Sequence, residues 1–159
     1  MENNINNIWK KKLVEYCGPS GDRYSLARTK YKNVDFNVYF IVDRNRYECK
    51  ISYLDVKSSI NCIIIPPEII YNHINYPIKS IIIRPLINNE ETLKKLVINA
   101  NELVSFYTRI SINHVYIKSI RSVFYTFPSM INFVNSVYIE NYNLLLKNIG
   151  KQWKIIPGN

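Results

Sequence analysis

The chain has 159 residues, 47% of them hydrophobic, and a formal charge of +9. That length is enough to bury a core without disulfide or metal staples, and the composition argues against disorder. The longest apolar runs, "CIII" before Pro66-Pro67 and "SIII" before Arg84, fall far short of the roughly 20 residues of a membrane-spanning helix, so no membrane partner is expected.

Charge is distributed unevenly. Residues 1–33 hold seven Lys/Arg against three acids, residues 34–104 eight against eight, and residues 105–159 six against one. Two basic ends around a neutral middle, interleaved with Tyr and Phe, favour a polyanion, and nucleic acid in particular. The plainer alternative is that the lysines keep a tyrosine-rich chain in solution. Cys17, Cys49 and Cys62 are odd in number and lack C-x-x-C spacing, so neither a disulfide framework nor a zinc site is expected. Cys49 alternates with apolar neighbours and reads as a small buried hydrophobe. The opening "MENNINNIWKKK" has no apolar signal-peptide core and no transit-peptide character. With its wealth of Ile, Asn, Lys and Tyr, the chain suits an AT-rich genome, that of an organelle or a large virus.

In chain order, Ile8, Leu13 and Val14 predict a short helix over 5–16, stopped by "CGPSGD". Alternation in "FNVYFIV" and "YECKISYL" around "DRNR" predicts a hairpin of 36–42 with 47–54. Residues 61–78 read as a strand followed by an irregular or briefly helical link, with a module boundary near Pro77. "KSIIIRPLI" is a strand. Leu93, Leu96, Val97, Ala100, Leu103, Val104 and Tyr107 then share one face of a helix over 89–107, with Asn88 and Glu91 as its capping box. "RISINHVYI" and "SIRSVFYTF" are further strands, and "VYIENYNLLLKNI" is a last long one. The class is α+β: a sheet with at least one helix across one face, behind a small N-terminal helix and hairpin.

No catalytic or metal-binding constellation emerges. His73 lies in the proline-rich link, His114 sits mid-strand, and neither has partners at ligand spacing. Gly18, Gly21, Gly150 and Gly158 build no phosphate loop. Glu90-Glu91 suit the first turn of a helix, and Asp43 suits a turn. The chain is therefore expected not to be an enzyme, with no catalytic residue, metal, cofactor or small-molecule substrate. A binding constellation remains: Arg109, Lys118, Arg121, Lys147, Lys151 and Lys154, with Tyr116, Tyr125, Phe127, Tyr138, Tyr142 and Trp153 between them. Cationic groups neutralise phosphates and exposed rings stack on unpaired bases. Alternatively, the rings turn into the core and the lysines are solvated edge charges.

The order "SIIIR", helix, strand, strand, Pro, long strand resembles small-subunit ribosomal protein ten. Pro128 matches the family's turn proline. Ten residues on, Tyr138 takes the aromatic position, Leu146 the leucine and Ile149 the closing isoleucine, without a gap; upstream, Ile81, Ile83 and Arg84 match the first strand. The family's Gly-Pro-Ile-Pro-Leu-Pro segment is replaced by "ISINHVYI", and Ser129-Met130-Ile131 stand where it has His-Val-Asn. The resemblance covers about residues 78–149. It implies a ferredoxin-like sheet with a long hairpin arm over 78–159, truncated at its C-terminal end, behind an N-terminal extension over 1–77. It further implies a structural constituent of the small-subunit head, in a divergent mitochondrial ribosome and organelle-encoded. Its partners would be small-subunit ribosomal RNA and neighbouring head proteins. RNA-facing positions would then be Arg109, Lys118, Arg121, Tyr125, Phe127, Ser129, Lys147, Lys151 and Lys154. The alternative is a non-catalytic interaction subunit of another organellar or viral assembly, docking an acidic partner.

Overall fold

A computed structural model describes residues 26–32, 36–57, 60–85, 92–118 and 127–156. The first three strands, β1 (Leu26–Lys32), β2 (Phe36–Asp43) and β3 (Glu48–Val56), form an antiparallel meander. β2 and β3 are the expected hairpin, and β1 is an addition to it. Asp43 sets the turn: its Oδ1 accepts the backbone N–H groups of Asn45 at 3.1 Å and Arg46 at 3.0 Å, a local bond that short acidic side chains supply.

Beyond β3 the chain alternates between two sheets. β4 (Ile60–Ile65) opens the second sheet; β5 (Glu68–Tyr71) and β6 (Ile74–Pro85) return to the first; β7 (Thr92–Ile98) joins the second; β8 (Ser105–Thr108) the first; β9 (Ser111–Ile117) the second. After a short helical turn, α1 (Phe127–Met130), come β10 (Val134–Ile139), β11 (Leu144–Asn148) and β12 (Trp153–Ile156), all in the second sheet. Apart from the antiparallel β5–β6 hairpin, each return lies parallel to the previous strand of its sheet. β6 pairs in parallel with both β3 and β8, and β4, β7, β9 and β10 stack in parallel. The result is a two-sheet coil resembling a short solenoid, with antiparallel strands at each end. Inward side chains of both sheets, Ile51, Ile81 and Phe106 from the first and Ile63, Leu96, Val115 and Val137 from the second, meet in one core.

A hexapeptide underlies the coil. "INCIII", "IKSIII", "LKKLVI", "LVSFYT", "INHVYI" and "VNSVYI" begin at residues 60, 78, 93, 103, 112 and 134. In each of the last five, positions one, four and six are buried, and two or more outward residues sit at positions two, three and five. The adjacent outward pair breaks strict alternation and bends the strand around the core, while positions four to six resume the two-residue period. Because the strands are parallel and in register, like positions stack into rows.

Several expectations change. Residues 92–98 and 105–108 are strands rather than one helix over 89–107. Spacing of i, i+3 matches one helical turn, yet it also matches positions one and four of the bent strand, and pairing with β4, β9 and β6 settles the choice. The proposed capping box at Asn88 and Glu91, and the helix over 5–16, fall outside the described residues. The link after Pro67 is a tight hairpin of β5 and β6, made by Asn72 and His73 with φ of 48° and 66°. Pro77 lies within β6, and the core draws on residues from both sides of it. The last long strand is two, β10 and β11, folded back at Asn143, whose φ of 46° lies in the left-handed region. The chain is thus mostly β-sheet with mixed sheets. The purely antiparallel ferredoxin-like arrangement is not what these pairings form. The return strand of the expected arm falls on 119–126, outside the described residues, and β10 beyond it runs parallel to β9.

Leu96 and Val97 would both lie on the buried face of a helix, whereas here Leu96 is fully buried and Val97 turns outward. Leu96→Ala is expected to cost about 2–5 kcal/mol and Val97→Thr less than about 1 kcal/mol, measured by urea denaturation. Equal losses would contradict the strand.

Candidate nucleic-acid interface

The outer face of the second sheet is built from the stacked outward rows. Position three and its continuation give Cys62, Lys95, His114, Ser136, Lys147 and Lys154, one residue from each of six strands and each paired with the next. Beside it runs position five: Ile64, Val97, Tyr116, Tyr138, Leu145 and Ile156. Position two adds Lys94, Asn113 and Asn135, and the Asn135 amide donates to Asn113 Oδ1 at 3.1 Å. A lysine row therefore borders an aromatic and aliphatic row.

Ring contacts tie the rows together. Lys95 Nζ lies 4.9 Å from the Tyr116 ring centroid. Tyr116 meets His114 edge to face at 4.5 Å and Tyr138 at 5.6 Å. His114 Nδ1 hydrogen-bonds Ser136 Oγ. Burial holds the His114 pKa below the ordinary imidazole range, and the charges of Lys95 and Lys147 lower it further. At neutral pH the ring is uncharged, and the positive charge of the row resides on its lysines. None of the six strands carries an Asp or Glu. Lys147 stands directly across from Lys154, a like-charge pairing that costs stability. Where β9 and β10 end, Lys95, Tyr116, Lys118, Tyr138 and Glu140 border a groove of about 360 Å³.

The expected site residues divide. Lys147 and Lys154 share the lysine row, and Lys118 flanks its groove. Lys151 lies in the β11–β12 turn, where Nζ donates to Asn132 Oδ1 at 3.1 Å. Arg109 and Ser129 line a cavity on the first sheet instead. Arg121 and Tyr125 lie outside the described residues, and Phe127 opens α1. Lys95 and His114 complete the row, Lys94 lies beside it, and all three were missed. Their signal was the recurring hexapeptide, and a helix over 89–107 conceals the two copies that begin at 93 and 103.

No protein-family model, curated protein or solved structure matches this chain. Function must therefore be argued from the surface itself. Among the described residues no three His, Cys, Asp or Glu side chains gather as a metal site, and no helix is long and apolar enough to cross a membrane. Among the described residues His114 is partnered by the Ser136 hydroxyl, and lysines beside rings suit binding by charge and stacking.

The lowered His114 pKa has a directional consequence. As pH falls through about 6.5 the unfolded chain takes up a proton before the folded one does, so stability declines in acid. Lys95 and Lys147 face the ring, and the Ser136 hydroxyl and Tyr116 contact it. Between pH 7.5 and 5.5 the urea midpoint is expected to fall further for the native chain than for His114→Gln. Parallel profiles would remove His114 as the cause.

Proposed function

We propose that this protein is a non-catalytic RNA-binding module whose second sheet presents a backbone-binding face. The reading rests on the row Lys95, His114, Ser136, Lys147, Lys154, with no carboxylate on any strand of that face. With strands about 4.8 Å apart, Lys95 and Lys147 stand roughly 14 Å from one another along the row, a span suited to several phosphates of one strand. Each lysine that neutralises a phosphate releases condensed counterions, which gives affinity without sequence readout. Ser136, Asn113 and Asn135 add hydrogen-bonding groups of the kind that fix a nucleic acid in place. Tyr116 and Tyr138 supply rings beside the cations.

Supporting RNA over an acidic protein is the combination of Lys95, Lys147 and Lys154 along one row with rings alongside it. A place on the small ribosomal subunit draws on the resemblance over residues 78–149, whose helix is replaced by strands here. What carries over from that reading is RNA as the partner and Lys118, Lys147 and Lys154 as contacts.

Lys147→Glu separates binding from folding. Replacing a like pair by an opposite pair across β11 and β12 is expected to stabilise the fold by roughly 0.2–1 kcal/mol, while RNA affinity falls. Lys147→Gln with Lys154→Gln is expected to reduce the slope of log affinity against log salt by about 0.7 per lysine for single strands. An unchanged slope in titrations with labelled RNA, or no RNA binding at low salt, would sink the reading.

A further inference from the structure

The first sheet has an outer face of different character. Tyr39 pairs with Tyr53, and Ile82 pairs with Tyr107; Tyr53 and Ile82 border the same two cavities. These four side chains form a lane across β2, β3, β6 and β8. Tyr53 is 38% exposed and Tyr107 48%, large values for rings that could have turned inward. The two cavities, about 700 and 380 Å³, share Tyr53, Ile82 and Arg84, making one trough.

Arg84 is held in place within it. Its Nε donates to Asp55 Oδ1 at 2.6 Å and its Nη2 to Oδ2 at 3.4 Å. Its guanidinium carbon lies 3.4 Å from the Tyr53 ring centroid. Asp55 is almost fully buried, at 2% exposure, and its carboxylate holds the guanidinium along one edge. The Arg84 side chain nevertheless remains 39% exposed. A guanidinium fixed by a two-point clamp over an aromatic ring is a planar cation whose orientation is set before any ligand arrives. Lys50 borders one end of the trough and Arg109 the other. No Asp or Glu is among the lining residues.

Resting on the RNA reading above, we propose that this trough is a second nucleic-acid site, which takes the unstacked bases of a single strand on Tyr107 and on the Arg84–Tyr53 platform. Flat, exposed rings and an oriented guanidinium offer π faces that any base can use. Lys50 and Arg109 hold the phosphates on either side. A duplex keeps its bases stacked and has no use for these faces, so it binds through the lysine row alone. An acidic peptide would match the cations but leave the rings without a partner. The two faces thus divide the work: the second sheet holds backbone, and the first selects unpaired segments.

The test uses the full chain, with a labelled ten-nucleotide oligouridine and an RNA duplex of equal length, in anisotropy titrations. Tyr107→Ala is expected to weaken single-strand binding roughly tenfold and leave duplex binding unchanged, whereas Lys147→Glu weakens both. Arg84→Lys, which keeps the charge and loses the plane, is expected to behave like Tyr107→Ala. As a readout independent of Arg84 variants that fail to fold, a 5-iodouridine oligonucleotide is expected to photocrosslink to Tyr53 or Tyr107. If Tyr107→Ala binds both RNAs like the native chain and crosslinks fall only on Tyr116 or Tyr138, the second site is overturned while the lysine-row reading stands. If the native chain binds neither RNA, both fall.

Discussion

Parallel, in-register stacking of the hexapeptide strands is the constraint on which the rest depends. One strand of this type buries three side chains and leaves an edge of unpaired backbone groups on each side. Only when β6 lies between β3 and β8, and β7 and β9 between β4 and β10, are those groups paired and the inward rows joined into a common core. The contacts are non-local by necessity: Ile63 meets Leu96, Leu96 meets Val115, and Val115 meets Val137. Such pairings are not encoded in any short window of sequence.

The same stacking makes the surface. With identical positions aligned on neighbouring strands, a residue type repeated at position three becomes a row, and its charge adds along that row. Lys95 and Lys147 both lower the His114 pKa because the register aligns them with it, Lys95 on the neighbouring strand and Lys147 two strands away. The pairing of Lys147 with Lys154 opposes stability, and it stands on a face whose strands carry no carboxylate. On the first sheet the register places Ile82 beside Tyr107 and Tyr39 beside Tyr53, so that rings distant in sequence share a lane. Asp55 and Arg84 are paired residues of β3 and β6, so the clamp on the guanidinium is itself a product of parallel register.

The ends of the coil are handled differently from its middle. At one end β1 and β2 turn back antiparallel on β3; at the other β11 and β12 do so on β10. Antiparallel closure needs only tight turns, and the chain supplies them with Asp43 at one and Asn143 at the other. Tyr138 Oη donates to Asn143 Oδ1 at 2.7 Å and bridges the β10–β11 turn. The Asn148 amide reaches the carbonyls of Ile131 at 2.6 Å and Val134 at 3.1 Å, tying β11 to the approach to β10.

Sequence by itself determined the predominance of apolar strands, the β2–β3 hairpin with its Asp43 turn, the basic bias of the C-terminal third and the absence of familiar catalytic motifs. These follow from local alternation, turn chemistry and charge, all readable within a few residues. The identity of residues 92–108 was decided only by tertiary structure, because Leu93, Leu96, Ala100, Leu103 and Tyr107 satisfy helical spacing as well as the bent strand does. Partners supplied by β4, β9 and β6 tip that balance toward strand. Lys147 and Lys154 were visible as charges, but their union with Lys95 and His114 in one row was not, since it depends on which strands become neighbours. Arg109 seemed to belong with them and lies on the opposite sheet, because the chain changes sheets between β8 and β9. Local sequence thus chose the side chains, and the parallel register, a long-range property of the fold, chose their company.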